Sequence, residues 1–447
     1  MNGMQWFAPR TGDIPLRSRA VSGAFLLVVI SAVSVTGFET VRLAIVSHLA
    51  DTRDVGRLQR ALALDAGNPE IVRRLGLAYF YSSESPDTFR GLDYLRQAAE
   101  LSKYGAPYWA DYGRACDSVA NLECAGRALE RAVQLGPTTP RYHWLLANYY
   151  IRSDQPDKAM KEFRTLLRLD PDEYAQRTLR VCLKAFDNPD EIFRKVLTDD
   201  ATPDLRLTYA ELLCDTGRAD SAGQIWSDIA AKRVAFPFSL AAPYLLRLFN
   251  LQRYEAAEKV WRDLERLGVV RRPADEEPGN LIFNGGFEQP PLDAGFDWID
   301  RDLPYLAVDF ADSRAYQGRR CLRLDFTVPR NEDYQPVYTF APVEPGLPYR
   351  LQFYARSENI ESDSGPRLRV FDPMCQSCLD VASEMTVGTM PWHPLGVTFT
   401  TGPQTRVVQV DLWRPRGRTF PTAISGTFWL DAVSLQAAAP SSPQEHK

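Results

Sequence analysis

The chain has 447 residues, of which 45% are hydrophobic and 24% are charged. This length allows about two to three domains, and the apolar fraction excludes disorder throughout the chain. The formal net charge is −5, from 52 basic and 57 acidic side chains. Without a basic excess, the chain lacks the electrostatic field that nucleic-acid binding requires, so no nucleic-acid partner is expected. The four histidines are scattered, which argues against a histidine-rich metal centre.

The N-terminal region contains an uncharged stretch of 19 residues at 20–38. This length suits one crossing of a bilayer. Three arginines and one acid lie within residues 1–19, so the positive-inside rule predicts that this segment is cytoplasmic. We therefore expect an uncleaved signal anchor at 20–38 with the rest of the chain outside the cytoplasm. A cleaved signal peptide is the alternative, because a basic region followed by an apolar one fits both.

Two neighbouring segments repeat one pattern of large and small residues at a spacing of 34. The segment that begins at Pro140 has Ala147 at position 8, Ala159 at position 20 and Phe163 at position 24. The segment that begins at Ala106 has small or apolar residues at the same positions, namely Gly113, Ala125 and Leu129. This pattern resembles the tetratricopeptide repeat (TPR), in which small residues let two antiparallel helices approach closely.

Weaker copies of the pattern extend it on both sides, so residues 50–270 are predicted to form an α-solenoid of TPR-like helical hairpins. The repeated aromatic and small residues are interpreted as its core. The resemblance implies that the polar inner faces of the first helices line a groove for protein partners.

Residues 271–279 read RRPADEEPG, which predicts a linker. After it, apolar and polar residues alternate with a period of two, and Gly/Pro turns separate the alternating runs. This change predicts an antiparallel β-sandwich at 280–437, followed by a disordered tail at 438–447. The expected fold class is therefore multidomain α plus β: a transmembrane helix, an α-solenoid and a C-terminal sandwich.

Three local motifs of the β-region occur in a family's order. They are NLIFNGGFE at 280–288, VEPGLPYRLQFYAR at 343–356 and GTFWLDAVSL at 426–435. The ordered set resembles jelly-roll carbohydrate-binding modules with a galactose-binding-like fold. The resemblance implies a domain of the kind that binds glycans, although the stretch 358–391 departs from the family's pattern.

A glycan site needs flat aromatic rings beside polar groups. Strict alternation of apolar and polar residues predicts that Gln409, Asp411 and Trp413 face away from the core. Trp392 and Trp298 fall in loops or at strand ends and complete the predicted glycan-binding set. For each ring, burial or packing in a turn is the alternative interpretation.

Glu288 and Asp431 stand among core-forming residues with no Lys or Arg within two positions. A buried charge needs compensation, and a cation held by carboxylates and carbonyls supplies it. The family resemblance points to the same two positions, which contribute to a calcium site in many such modules. A structural calcium ion is therefore expected. The alternative is that both acids are exposed or bonded by backbone N–H groups.

The seven cysteines include Cys375 and Cys378 in the loop sequence DPMCQSC. A local disulfide is predicted for this pair, with free thiols or a redox or metal role as the alternatives. Cys116 and Cys124 form a second candidate pair.

The sequence lacks the G-x-S-x-G, H-E-x-x-H, Walker and G-x-G-x-x-G motifs, so no enzyme is expected. The predicted function is that of a non-catalytic bacterial envelope protein. Its solenoid recruits protein partners, and its sandwich contacts a glycan in polysaccharide assembly or export. The alternative is a purely protein-assembling adaptor whose sandwich does not bind sugar.

Overall fold

The computed structural model of the chain describes residues 19–82, 86–274 and 276–438. The chain divides into two compact units, Met1–Tyr174 and Ala175–Lys447, which are described separately. The predicted cytoplasmic segment and the predicted C-terminal tail lie almost wholly outside the described residues.

The predicted membrane segment lies in one long helix, α1 (Arg19–Ala50). Its part from Ser22 to Ala50 has a mean hydropathy of 2.0 and is long and apolar enough to cross a bilayer. The helix continues well past the predicted end of the span. In that continuation Val46 is buried against Ala61 and Ile71, so α1 also belongs to the packed core of the first unit.

The helical hairpins of the first unit follow directly. They are built from α2 (Val55–Leu64), α3 (Pro69–Phe80), α4 (Thr88–Leu101), α5 (Ala106–Ser118), α6 (Leu122–Leu135), α7 (Pro140–Arg152) and α8 (Pro156–Leu169). Proline begins α3, α7 and α8, at a position where a backbone N–H would have no helical partner.

Small residues set the spacing within these hairpins. A Cβ added at Gly76 would lie 2.8 Å from Leu95 Cγ, and one added at Gly113 would lie 2.7 Å from Leu129 Cγ. Ala159 is fully buried. Helices can approach this closely only where side chains are this small, so the predicted TPR-like packing is confirmed.

The second unit begins within the next helix and continues the hairpins. Its helices are α9 (Pro171–Ala185), α10 (Pro189–Ile192), α11 (Pro203–Asp215), α12 (Ala219–Ala231), α13 (Phe238–Asn250) and α14 (Tyr254–Arg266). A π-helical turn at Phe193–Leu197 extends α10. This short element accounts for the irregular spacing of the sequence pattern between α9 and α11.

The remainder of the second unit is a sandwich of two antiparallel sheets. Its strands are β1 (Ile299–Asp300), β2 (Ala307–Asp312), β3 (Cys321–Arg330), β4 (Tyr334–Pro342), β5 (Pro348–Glu361), β6 (Arg367–Phe371), β7 (Asp380–Ala382), β8 (Gly388–Thr400), β9 (Val407–Arg414) and β10 (Ile424–Ala437). Sheet A has the order β1-β4-β9-β6-β7, and sheet B has the order β2-β3-β10-β5-β8. Alternate residues of both sheets fill one core, in which Val410 and Phe428 are fully buried. The predicted fold class is confirmed.

Aromatic rings join the α13–α14 hairpin to the sandwich. The ring centroid of Trp261 lies 5.2 Å from that of Phe283 and 5.9 Å from that of Phe296. The Phe249 and Phe340 ring centroids are 4.7 Å apart. The hairpin therefore packs directly on the sandwich, and part of the outer face of sheet A is covered.

The segment 271–279, predicted as a linker, contains no helix or strand in its described residues. Arg272 forms ion pairs with Glu265 of α14 and with Glu276. Pro273 is buried. These contacts hold the segment against the elements on either side of it.

Candidate functional site

The outer face of sheet A collects most of the predicted glycan residues. We define the sheet A face by Tyr338, Arg367, Arg369, Gln409, Asp411 and Trp413. Because Val408, Val410 and Leu412 belong to the core, the alternating residues of β9 point to the opposite side. Across the strands, Asp411 pairs with Tyr338 and Arg369, and Trp413 pairs with Arg367.

Trp413 is half-buried and held in one orientation. Its Nε1 donates a hydrogen bond of 2.8 Å to Asp333 Oδ1. The Arg369 guanidinium lies 4.7 Å from the ring centroid, and that of Arg367 lies 5.8 Å away. Arg369 in turn donates to both carboxylate oxygens of Asp380, at 2.7 and 2.6 Å. The indole is thus a fixed ring bordered by charged hydrogen-bonding groups.

Asp411 is fully buried beside this ring. Its Oδ1 accepts a hydrogen bond of 2.6 Å from Gln409 Nε2. Its Oδ2 is buried without a hydrogen-bond partner among the described residues. Burial raises the pKa of Asp411 to about 6, against the opposing effects of Gln409, Arg301 and Arg369. Because Asp411 and Gln409 are both buried, neither presents surface to a ligand, and their assignment to the glycan-binding set is corrected.

Trp298 does not belong to this site. The structure places it in the sandwich core with no exposed surface. Its ring centroid lies 5.1 Å from that of Phe287, and its Nε1 donates to the carbonyl oxygen of Asn284. A ring without accessible surface cannot stack on a sugar, so the assignment of Trp298 to a glycan surface is corrected.

Trp392 lies on sheet B, away from Trp413. It borders an aromatic stack in which the Tyr316 and Tyr354 ring centroids are 3.5 Å apart. Its Nε1 donates to the carbonyl oxygen of Arg314 at 3.2 Å. The predicted set is therefore divided between two faces. Tyr354 was not predicted, although its alternation with the buried Phe353 would have identified it.

Glu288 and Asp431 both bind the loop that precedes β3. Asp431 Oδ2 accepts from the backbone N–H groups of Tyr316 and Gln317, at 2.8 and 3.0 Å. Glu288 Oε1 accepts from those of Arg319 and Arg320, at 2.7 and 3.0 Å. The carboxylates thus have the backbone partners that the alternative interpretation anticipated.

The same two carboxylates line a cavity of about 620 Å³ together with Glu276 and Gln317. Burial raises the pKa of Asp431 to about 6, against the backbone N–H donors, and the charge of Glu288 adds to the rise. Carboxylates are the ligand type that calcium requires. No group of three or more His, Cys, Asp or Glu side chains within the described ranges is arranged to hold a metal ion. The two carboxylates are the type of ligand that calcium needs, but they are too few to form a calcium site by themselves. The calcium ion stays a prediction.

The structure contains two disulfides, Cys116–Cys124 and Cys375–Cys378. The second lines a cavity of about 560 Å³, together with Tyr254 of α14 and Asp372. The remaining cysteines are free and buried; they are Cys182, Cys214 and Cys321.

In the first unit, charged side chains join the first helices of successive hairpins. Asp111 of α5 is buried and pairs with Arg73 of α3 at 2.6 Å and with Arg141 of α7 at 3.4 Å. On the same helix as Arg141, His143 is buried. Its Nδ1 lies 2.6 Å from Glu162 Oε2, and its Nε2 lies 2.8 Å from the carbonyl oxygen of Pro137.

His143 is a structural group. Burial opposes its charge, but the hydrogen bonds to Glu162 and Pro137 raise its pKa above the usual value. With an acceptor at each ring nitrogen, both nitrogens donate when the ring is protonated. The imidazolium thereby ties the start of α7 to α8.

No family model and no curated protein matches the chain. Among solved structures, the chain is similar to MamA 41-end from Desulfovibrio magneticus RS-1, at 20% identity over 32% of this chain and 81% of that one, with a TM-score of 0.28. It is also similar to Family 16 Carbohydrate Binding Module-2, at 19% identity over 35% of this chain and 99% of that one, with a TM-score of 0.26. A structure titled "CBM4 structure and function" is similar at 16% identity over the same shares, with a TM-score of 0.26. Repeat proteins and carbohydrate-binding modules thus both occur among the similar structures, and the similarity concerns the fold alone.

Proposed function

We propose that the protein is a non-catalytic scaffold anchored in the inner membrane of a bacterial cell envelope. Its solenoid recruits protein partners, and its sandwich holds a glycan that is assembled or exported nearby. The observation that carries the proposal is the sheet A face, where an indole ring and two guanidinium groups lie side by side on neighbouring strands.

The chemistry of this face suits a sugar. The C–H groups of a pyranose ring stack on an indole, while its hydroxyls both donate and accept hydrogen bonds. The Arg367 and Arg369 guanidinium groups supply hydrogen-bond donors beside Trp413. Asp333 and Arg369 already hold the indole in one orientation, so ligand binding costs little further side-chain entropy.

The anchor is supported by the apolar stretch of α1, none of whose residues is buried by the rest of the protein. The two disulfides support a location outside the cytoplasm, because such bonds persist in oxidising compartments. The Arg10, Arg17 and Arg19 side chains of the sequence favour a cytoplasmic N-terminus.

Partner recruitment by the solenoid is supported by the polar side chains on its first helices. Arg141 is 57% exposed while paired with the buried Asp111, and Arg114 pairs with the same carboxylate. Guanidinium groups held in place by a buried acid present donors to a peptide at a low entropic cost.

The glycan proposal is tested with the full-length protein on an array of bacterial polysaccharides. We expect Trp413→Ala to lose binding at least about tenfold, the loss of one strong stacking contact. Trp392→Ala is the matched control, since this half-buried indole lies on sheet B, and it should bind like the wild type. Both variants must keep the wild-type melting temperature. Equal loss in the two variants would contradict the assignment to sheet A.

The second candidate function is the adaptor without sugar binding. It is favoured by the contacts of Phe340, a sheet A residue whose outer side is covered by Phe249 and Tyr254 of the α13–α14 hairpin. These contacts reduce the area of sheet A that is available to a glycan. A wild-type protein that retains no glycan on the array would favour this function over the first.

A further inference from the structure

We propose that one end of the solenoid rests on the lipid surface that α1 crosses. This membrane-proximal end consists of the α2–α3 turn (residues 64–68) and the α4–α5 turn (residues 101–105), with Leu64, Leu101 and Tyr104 as the contacting side chains. The inference rests on the proposed anchor and goes beyond it, because it fixes which surface of the solenoid meets the bilayer.

The first step is the continuity of α1, which runs without a break from the apolar segment into the core of the solenoid. Arg42 Nη1 donates a 2.8 Å hydrogen bond to the carbonyl oxygen of Leu64, so the α2–α3 turn is level with Arg42. Arg42 lies four residues beyond Phe38, or about 6 Å along the helix. The headgroup layer on each side of a bilayer is roughly 5–8 Å thick. The turn therefore lies at headgroup depth.

The second step is the surface of α1 beside this turn. Val41 is 60% exposed, Leu43 is 52% exposed and Ile45 is 46% exposed. The nearby charges of Glu39 and Arg42 neutralise each other in an ion pair of 2.7 Å. Apolar side chains at this level are stabilised if lipid covers them. A bilayer that reaches Ile45 also reaches the α2–α3 turn.

The third step brings the α4–α5 turn to the same end. A Cβ at Gly91 would lie 2.7 Å from the backbone nitrogen of Phe80, so α4 begins where α3 ends and runs back toward the start of α3. Arg73 near the start of α3 pairs with Asp111 of α5 at 2.6 Å. The start of α5, and the turn that precedes it, is therefore level with the start of α3.

The exposed residues of this end are of the kind that membrane interfaces favour. Tyr104 is 84% exposed, Leu101 is 52% exposed and Leu64 is 42% exposed. Tyrosine is enriched at the headgroup level, where its ring and hydroxyl meet apolar and polar surroundings. Phe89 is 88% exposed at the opposite end of α4, so exposure alone does not choose between the ends. The direction of α1 makes the choice.

The test measures depth directly. The full-length protein is placed in phospholipid nanodiscs that contain some lipid with a gadolinium chelate on its headgroup. A nitroxide is attached at Tyr104→Cys or, as the matched control, at Phe89→Cys. The two positions differ in height by roughly 20 Å, the length of α4 at 1.5 Å per residue. We expect gadolinium to relax the nitroxide at 104 several-fold more strongly than the one at 89.

Equal relaxation at the two positions, or stronger relaxation at 89, would overturn the inference while the anchor remains. The labelled wild type gives the background from Cys182, Cys214 and Cys321, all of which are buried. If the protein is not retained in nanodiscs, or if mass spectrometry shows that the mature chain begins after residue 38, the anchor fails and the inference falls with it.

Discussion

Three aspartates of the sandwich are held in environments that disfavour their charge. Burial raises the pKa of Asp297 to about 7 and those of Asp411 and Asp431 to about 6. Asp297 accepts two backbone N–H bonds and Asp431 accepts three, whereas Asp411 has one side-chain donor on one oxygen. Of the three aspartates, Asp411 therefore has the fewest hydrogen-bond donors, and Arg301 and Arg369 also favour its charge.

Asp411→Asn should remove a loss of folding stability that depends on pH. The folded pKa lies above the unfolded value, so the folded protein binds the proton more tightly, and ionisation destabilises it as pH rises through about 4 to 6. Two pKa units correspond to about 3 kcal/mol. Relative to the wild type, the variant should gain up to this amount between about pH 4 and pH 8, measured by denaturant unfolding. Asp309→Asn, at an exposed position of β2, should follow the wild type at both pH values. An Asp411→Asn curve parallel to the wild type would show that Asp411 stays ionised at low cost.

Calcium should stabilise the sandwich through Glu288 and Asp431. An ion that binds only the folded state adds about 2.7 kcal/mol at a hundred times its Kd, so calcium should raise the melting temperature and chelation should lower it. The Glu288→Gln/Asp431→Asn double variant should lose this calcium-dependent difference, whatever its own melting temperature. Glu277→Gln, an exposed acid on the same cavity, should keep it. A wild-type transition that does not respond to either treatment would exclude the site.

At the scale of elements, the hairpins depend on positions where only a small side chain fits. Ala159 of α8 is fully buried, at position 20 of the repeat. Phe163 of the same helix and Leu146 of α7 are also buried.

Ala159→Leu should overpack this hairpin and reduce the free energy of unfolding by about 1–3 kcal/mol. The melting of the helical signal measures it. Lys161→Leu adds a similar side chain at an exposed position of the same helix, and it should change the melting temperature little. If the two variants melt alike, Ala159 does not lie at a close helix contact.

Phe249 holds the α13–α14 hairpin on the sandwich. Its ring centroid lies 4.7 Å from that of Phe340 and 5.2 Å from that of Phe296. Because this ring is half-buried, Phe249→Ala should cost less than the full burial of a phenylalanine, up to about 3 kcal/mol, and it should expose the segment 271–279 to proteolysis. Leu246→Ala, on the exposed side of α13, should leave cleavage unchanged. If both variants resist proteolysis, the remaining aromatic contacts are enough to hold the hairpin on the sandwich.

The sequence predicts elements better than it predicts contacts between them. Periodicity identified the hairpins and the inward stripe of β9, because both follow from regular backbone geometry. Trp298 was misassigned because a ring in an irregular segment has no periodic neighbours to show which way it points. The sequence also could not predict that Phe249 packs on Phe340, since these residues are far apart in the chain.

At the scale of the whole molecule, the proposed topology rests on α1 and on the arginines that precede it. A phosphatase that is active only outside the cytoplasm, fused after Lys447, should be active, and the protein should resist extraction from membranes at alkaline pH. Replacing Arg10, Arg17 and Arg19 with glutamate should reduce that activity, because the positive-inside rule then no longer favours this orientation. A fused reporter that works only in the cytoplasm would contradict the proposed topology.

The two disulfides join cysteines that are consecutive in the chain: Cys116 with Cys124, and Cys375 with Cys378. In a chain exported from its N-terminus, the first pair is complete before another cysteine emerges, but the free thiols of Cys182, Cys214 and Cys321 emerge before Cys375. Oxidation in order of appearance would join Cys182 with Cys214 and Cys321 with Cys375, so the native pairing requires that folding buries these thiols first. If the chain is exported, its maturation should therefore need a thiol oxidase and benefit from a disulfide isomerase, and its yield should fall in cells that lack the isomerase.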